Sequence, residues 1–427
     1  MEHLLLVIAI VILVYAHFSA LVPRSVLTAP IIFVGIGMAL SKSLGNILTT
    51  DGGELLKVVA ELTLVILLFT DASRINLRAL VKDVGLPLRL LGIGLPLTIA
   101  LGALLAKLVF PDFSWWTAGL ISAILAPTDA ALGQAVVNSK QVPVKIRQAL
   151  NVESGLNDGI AVPFVIFFAS LAAVQATSAS ASRWLVFWIT QVTLGPLAGI
   201  AVGYIGGHLL EAAARRGWVD QSFSRLASIA FAILAWAGAT AIGGNGFIAA
   251  FVCGMAIGCS TNSIKPAIQQ FAETEGQLLS LTAFLLFGAM FVIPSLESAT
   301  PTDWAYALLS LTVVRMLPVA VSLLGTKLDF STNLFVGWFG PRGLASLIFA
   351  LLVTHQFKLA EADHLITIVM LTATLSILAH GLTAVPGAKW YAHVVNSHTC
   401  EDGCEHEPVV EFDVRHHHQP MTMPDEA

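Results

Sequence analysis

The chain has 427 residues, 56% of them hydrophobic and only 11% charged, with mean hydropathy +0.82 and a formal net charge of -5. A soluble domain carries about 25% charged residues, so the composition excludes an ordinary water-soluble protein and leaves a polytopic membrane protein. The small acidic excess decides little, because most of such a surface faces lipid.

A helix needs about 20 apolar residues to cross the hydrocarbon core. Polar or Gly/Pro breaks divide the chain into thirteen such segments, at 4–22, 28–45, 56–73, 87–109, 115–138, 148–175, 184–212, 222–242, 245–260, 274–294, 302–325, 331–355 and 362–386. The first lacks a basic flank and a small-residue cleavage site, so it reads as a span and not as a signal peptide. The segments are too long for strands and show no period-2 alternation. Hydropathy falls after 388, so the expected organisation is a transmembrane domain at 1–390 and a short, disordered cytoplasmic tail at 391–427. The tail holds "HTCEDGCEH" at 398–406 and His416, His417 and His418. Cysteine and histidine are zinc ligands, but the spacing is loose, and no metal or other cofactor is expected. Cys253 and Cys259 lie in an apolar stretch and imply no disulfide framework. Trp115, Trp116, Trp184, Trp304 and Trp390 fall near span ends as interfacial anchors. His380 reads as a packed or interfacial histidine. There is no phosphate-cradling loop, redox motif or nucleic-acid patch.

An odd span count puts the termini on opposite sides. With the C-terminus inside, 15 of the 22 Lys and Arg residues are cytoplasmic, including Arg24, Arg74, Arg78, Lys82, Arg89, Lys140, Lys145, Arg147 and Arg415, and five lie on the other face. The positive-inside rule gives N-out, C-in. The remaining two, Arg315 and Arg342, lie inside spans.

Charges in the hydrocarbon are costly and mark function by default. Asp129 lies ten residues before Ser139, and Asp158 lies ten after Gln148. At 1.5 Å per residue both carboxylates are about 15 Å deep, near the midplane. Glu61 lies ten residues before Asp71, Arg342 eleven after Ser331, and Arg315 eleven before Thr326. Five ionisable groups from five helices thus share one layer. Pro127, two residues before Asp129, removes a backbone donor and disfavours helix at Ala126. The stretch "GWFGPRG" at 337–343 carries a second break beside Arg342. These are the fifth and twelfth spans, in corresponding positions of two six-helix repeats, and paired interruptions point to a transporter ion site. In "ESGLNDG" at 153–159, Ser154 and Asp158 are i,i+4 and share a helix face, while Glu153 and Asn157 share the neighbouring one. The first face can turn towards Asp129. The second can turn towards an arginine and a broken backbone.

"PTDA" at 127–130, "ESGLNDG" at 153–159 and "GPRG" at 340–343 resemble the monovalent cation–proton antiporters of the bacterial NhaP and eukaryotic sodium–proton exchanger type, over roughly residues 1–390. The resemblance implies an all-α fold of about thirteen spans, inverted six-helix repeats, two crossing broken helices and a homodimer. It implies that Asp158 alternates between a proton and sodium. Asp129 and Thr128 lie at the crossing, and Ser154 joins them and Asp158 as an ion ligand. Asn157 hydrogen-bonds the unwound segment, and Glu153 pairs with Arg342. Glu61 resembles a third-span glutamate that reaches the ion in some members, and Asp71 an acidic position near the cytoplasmic entrance. Two departures stand out. Ala130 and Ala131 follow Asp129 where many members have Pro and Val. The span at 274–294 offers Arg315 no acidic partner at midplane depth. The tail lacks the long regulatory domain of animal exchangers, which points to a prokaryotic protein of the bacterial inner membrane.

The implied activity is secondary transport rather than enzymatic turnover. A bound cation favours an ionised carboxylate and a proton removes that charge, so Na⁺ and H⁺ compete for Asp158. Oxygen ligands suit a hard cation such as Na⁺ or Li⁺. Because neutral Asn157 precedes Asp158, the resemblance implies electroneutral one-for-one exchange serving pH and sodium homeostasis. A K⁺/H⁺ antiporter of the same fold is the alternative. A cation channel leaves the paired breaks unexplained, and an intramembrane aspartyl protease wants Gly-x-Gly-Asp where this chain has "GLND".

Overall fold

The computed structural model describes residues 2–19, 27–42, 53–74, 85–177, 181–261 and 265–397. The tail's Cys400, Cys404, His416, His417 and His418 lie outside them, as do Arg24, Arg78, Lys82 and Arg415 of the charge count. Among the described residues the secondary structure is helical, and each of the thirteen expected segments carries helix. We number the helices α1 (Glu2–Phe18), α2 (Ala29–Ala39), α3 (Gly53–Arg74), α4 (Gly85–Val109), α5 (Trp115–Leu125), α6 (Ala130–Val137), α7 (Val144–Thr177), α8 (181–215), α9 (Gln221–Ala241), α10 (Gly246–Ser260), α11 (265–298), α12 (Pro301–Ser322), α13 (Phe330–Trp338), α14 (Leu344–Gln356) and α15 (Ala362–Ser397). Seven of them are long and apolar enough to cross a membrane: α4, α7, α8, α9, α11, α12 and α15. The fifth and twelfth spans are each split, into α5/α6 and α13/α14, at the Pro127 and Pro341 segments.

Short polar side chains set several starts. Ser114 accepts from Thr117 N at 3.0 Å to cap α5, and Asn245 accepts from Ile248 N at 3.0 Å to cap α10. Thr300 and Asp303 form a reciprocal capping box on α12. Three spans contain one wide i→i+5 turn each, at Leu90–Gly94, Ala201–Ile205 and Gly288–Val292, a local widening that hydropathy does not register. The last helix runs to Ser397, past the expected end at 386 and through the expected boundary at 390. Tertiary packing carries it there: Tyr391 is fully buried, its ring stacks on Phe335 at 4.1 Å, and its hydroxyl meets Thr332 at 2.9 Å.

The helices sort into two bundles. α4–α7 and α12–α15 pack chiefly among themselves, and so do α2, α3 and α8–α11. The first bundle therefore holds the last three spans of each expected repeat. α1 lies on the second bundle, where Tyr15 meets the Phe33 ring edge-on at 5.2 Å. Small residues bring backbones together in this second bundle. A side chain on Gly195, Gly199 or Gly203 of α8 would strike the carbonyls of Asn245, Ala249 or Cys253 of α10, so the two helices touch along a glycine edge. On its other face α10 places Gly254 and Gly258 against the backbone of Phe69 and Ser73 on α3.

Candidate functional site

The two broken spans cross at their interruptions, and the cross is held by backbone and charge together. Asp129 N–H donates to Pro341 O at 2.8 Å, joining one interruption to the other. The Asp129 carboxylate caps two half-helices at once. Its Oδ1 accepts from Ala131 N at 2.7 Å and Leu132 N at 3.2 Å, at the start of α6. Its Oδ2 accepts from Leu344 N at 2.8 Å, at the start of α14. Gly343 is required here, because a Cβ would land on the Asp129 carboxylate.

Arg342 answers at the opposite pole. It is fully buried, and its Nη1 donates to Ala126 O at 2.6 Å and Pro127 O at 3.2 Å, the orphan carbonyls at the end of α5. Helix N-termini carry partial positive and C-termini partial negative charge. An aspartate thus meets two N-termini, and an arginine meets a C-terminus. Arg315 lies beside Gly340, at the end of α13, where any Cβ would fall on its guanidinium.

Glu153 does not pair with Arg342. It forms a two-pronged bridge with Arg315, Nη1–Oε1 at 2.5 Å and Nη2–Oε2 at 2.9 Å. The side chains are only 4% and 3% exposed. This corrects the expected Glu153–Arg342 pairing and supplies the partner that the 274–294 span did not offer Arg315. The reason is geometric: bare backbone at Gly340 admits Arg315, while the Arg342 guanidinium is taken by the carbonyls of the first break.

The second turn of the motif faces that break. Asn157 Nδ2 donates to Thr128 Oγ1 at 2.6 Å, and Thr128 Oγ1 lies 3.2 Å from Ser154 Oγ. Asp158 follows Ser154 by one turn of α7. It is half-buried, and its Oδ1 makes no hydrogen bond among the described residues; nor does Asn157 Oδ1. Asp129 and Asp71 are both within Coulombic reach of Asp158. Asp71 itself lies 3.9 Å from Arg74 on the same helix. Glu61 is half-buried higher on α3, without a hydrogen bond or ion pair to another described residue. At 1.5 Å per residue it lies about 15 Å along the axis from Asp71, so the acid of α3 that reaches the Asp158 neighbourhood electrostatically is Asp71.

A supporting face on α15 left only a faint trace in the sequence. Ser376 Oγ accepts from Arg342 N–H at 2.6 Å. His380, one turn on and 2% exposed, has its Nδ1 2.9 Å from Ser376 O and its ring 5.0 Å from Trp338. Thr383 accepts from Trp338 Nε1 at 2.9 Å. The spacing 376, 380, 383 is a helical stripe, and that polar stripe in an apolar span is the one trace available in the sequence.

Hydroxyl, amide and carboxylate oxygens from Thr128, Ser154, Asn157 and Asp158 therefore gather at a helix break in the membrane. They suit a dehydrated monovalent cation, and a single carboxylate there can take a proton instead.

Residues 6–390 match the family described as sodium/hydrogen exchanger, transmembrane. The K(+)/H(+) antiporter NhaP of Alkalimonas amylolytica is 28% identical over 370 residues, which cover 85% of this chain and 62% of that protein. The Na(+)/H(+) antiporter of Schizosaccharomyces pombe is 28% identical over 268 residues, covering 58% and 56%. The chain thus spans less than two thirds of the length of these curated relatives. The fold is that of the sodium proton antiporter MjNhaP1 from Methanocaldococcus jannaschii at pH 8, with a TM-score of 0.76 at 19% identity, covering 91% of this chain and 98% of that one.

Proposed function

The chain belongs to the sodium/hydrogen exchanger family, and from that premise we propose that it exchanges one monovalent cation for one proton across a cell membrane. The observation that carries this reading is the single exchangeable carboxylate. Glu153 is tied to Arg315, and Asp129 is balanced at the crossing by Arg342. Those four charges cancel. Asp158 is left to hold either a proton or a cation, so both loaded forms carry the same net charge. Alternating access then moves the bundle of broken helices against the other bundle, and loaded crossings are electrically silent in either direction.

Sodium is our first reading, because the ligand set is all oxygen and compact, with Thr128 and Ser154 hydroxyls 3.2 Å apart. In it Asp129 acts chiefly as the charge that fastens the crossing, since both of its oxygens already accept backbone N–H groups. Asp71 serves as the acidic approach from the cytoplasm. Potassium is the second reading, favoured by the name of the Alkalimonas relative. Lys and Arg counts support N-out, C-in. The resemblance supports a homodimer, and the bacterial relative a place in the inner membrane.

The test is proton flux in proteoliposomes supplied with Na⁺, Li⁺ and K⁺ in turn, with the membrane potential clamped. One-for-one exchange predicts an initial rate indifferent to the clamped potential. A steep voltage dependence refutes the stoichiometry, and silence with all three cations refutes antiport. The ion that drives the fastest flux identifies the substrate.

A further inference from the structure

Next to the exchangeable carboxylate the two bundles meet with unusual intimacy. Gly159 follows Asp158 on α7, in the bundle of broken helices. Across the seam stands Phe251 of α10, in the other bundle, 5% exposed. A Cβ at Gly159 would fall within the Phe251 ring, so the ring lies flat on bare backbone. One turn further along α10, Gly254 is locked against Phe69 and Ala72 of α3. The ring is thus mounted on the part of the second bundle that is most tightly fused to its neighbour.

The two sides of this contact differ. On one side lies the end of α3 that bears Asp71, whose charge reaches the half-buried Asp158. Beyond Gly159, in the direction that the Lys/Arg count assigns to the outside, α7 continues with Val162, Val165 and Ile166, all buried and all apolar. On α7 no polar side chain follows Asp158 until Ser170, three turns on, and the ring lies on the first residue of that apolar stretch.

We propose that Phe251 resting on Gly159 is the outer gate of the ion path, a residue that decides coupling rather than binding. The proposal rests on the antiport reading above. The ring shuts the outer side while Asp158 faces inward. The missing side chain at 159 lets α7 slide beneath the ring when the bundles change places. Both members are needed: the phenyl to exclude water and ions, the glycine so that no methyl group catches on it during the stroke.

The experiment uses the full chain in proteoliposomes as wild type, Phe251→Ala, Gly159→Ala and the double variant. Folding is checked by size exclusion. Two quantities are read: cation-driven proton movement, and Na⁺ or K⁺ leak under voltage with no proton gradient. Phe251→Ala should leak about ten-fold more than wild type and lose coupling. Gly159→Ala should stay tight but exchange about ten-fold more slowly, as expected for over-packing at a sliding contact. The double variant should regain rate and leak. A Phe251→Ala protein as tight and as coupled as wild type overturns the proposal, and so does a Gly159→Ala protein that exchanges at full speed. If Gly159→Ala does not fold, the Phe251→Ala leak decides alone. Wild-type vesicles that exchange no cation for protons refute the antiport reading instead, and the gate is then judged on the leak.

Discussion

Replacing Glu153 with Gln keeps the shape of the side chain and removes its charge. Arg315, with its side chain 4% exposed, would then lose a bridge whose two prongs measure 2.5 and 2.9 Å. Breaking a buried pair by removing one partner costs about 3–5 kcal/mol, because the other charge stays behind in a poor dielectric. Gln retains one acceptor, so the lower end, about 3 kcal/mol, is the expected loss. Arg315→Gln should cost a similar amount, now through the stranded carboxylate. In the double variant two amides face each other with no charge to desolvate, and we expect a total loss of about 2–3 kcal/mol, well short of the sum. The coupling energy would then be about 3–4 kcal/mol, at or just above the upper end for residues in contact. The assay is a mixed-micelle unfolding titration of the four proteins under one set of conditions. Additivity within about 0.5 kcal/mol would refute the reasoning. A parallel cycle of Glu153 with Arg342 is the internal control. The Arg342 guanidinium holds the Ala126 and Pro127 carbonyls instead, so this second coupling should be clearly smaller.

Three further outcomes are expected. Asp158→Asn should fold and elute like wild type while cation-driven proton flux disappears; normal flux in that variant would remove Asp158 from its role. Asp129→Asn should lose about 1–3 kcal/mol of stability, because one of its two oxygens becomes an N–H donor facing the N–H of Leu344 or of Ala131; unchanged stability in the same titration would show that the double cap contributes little. Acidification should weaken cation binding by competition: where Asp158 is mostly protonated, each ten-fold rise in proton concentration should raise the apparent KM about ten-fold with the maximal rate unchanged, and a KM independent of pH would mean that the two ions do not share the carboxylate.

What the sequence made legible is what depends on axial position. Counting residues from the loops brought Asp129, Asp158, Arg315 and Arg342 into one neighbourhood, and Pro127 and the 340–343 stretch marked both breaks. Counting cannot tell how far each helix is rotated or which helix is its neighbour. Two arginines at one depth were equally placed for Glu153, and the choice fell to Gly340, whose bare backbone lets Arg315 in. Axial counting placed Glu61 in the charged layer and was silent on Asp71, the α3 acid whose charge reaches Asp158. Ser376 is one of several hydroxyls in an apolar helix, and only the fold shows that it holds the Arg342 backbone. The helical continuation of α15 to Ser397 had no hydropathy signal, because Tyr391 is kept helical by Phe335 and Thr332, partners nearly 60 residues away.

The glycine edge between α8 and α10 has a mechanical meaning. Of the seven long apolar helices α8 is the one least covered by the rest of the chain, yet it grips α10 backbone to backbone. Such a seam has no long side chains to change rotamer and no slack to take up, so it transmits force instead of absorbing it. Together with the Gly254 and Gly258 contacts to α3, it welds three spans into a plate. A moving part needs something that does not yield, and under the proposed exchange cycle this plate is assigned the role of stator. If so, bulk added at Gly199 would not touch the ion or its ligands, but it would soften the frame against which every stroke is measured.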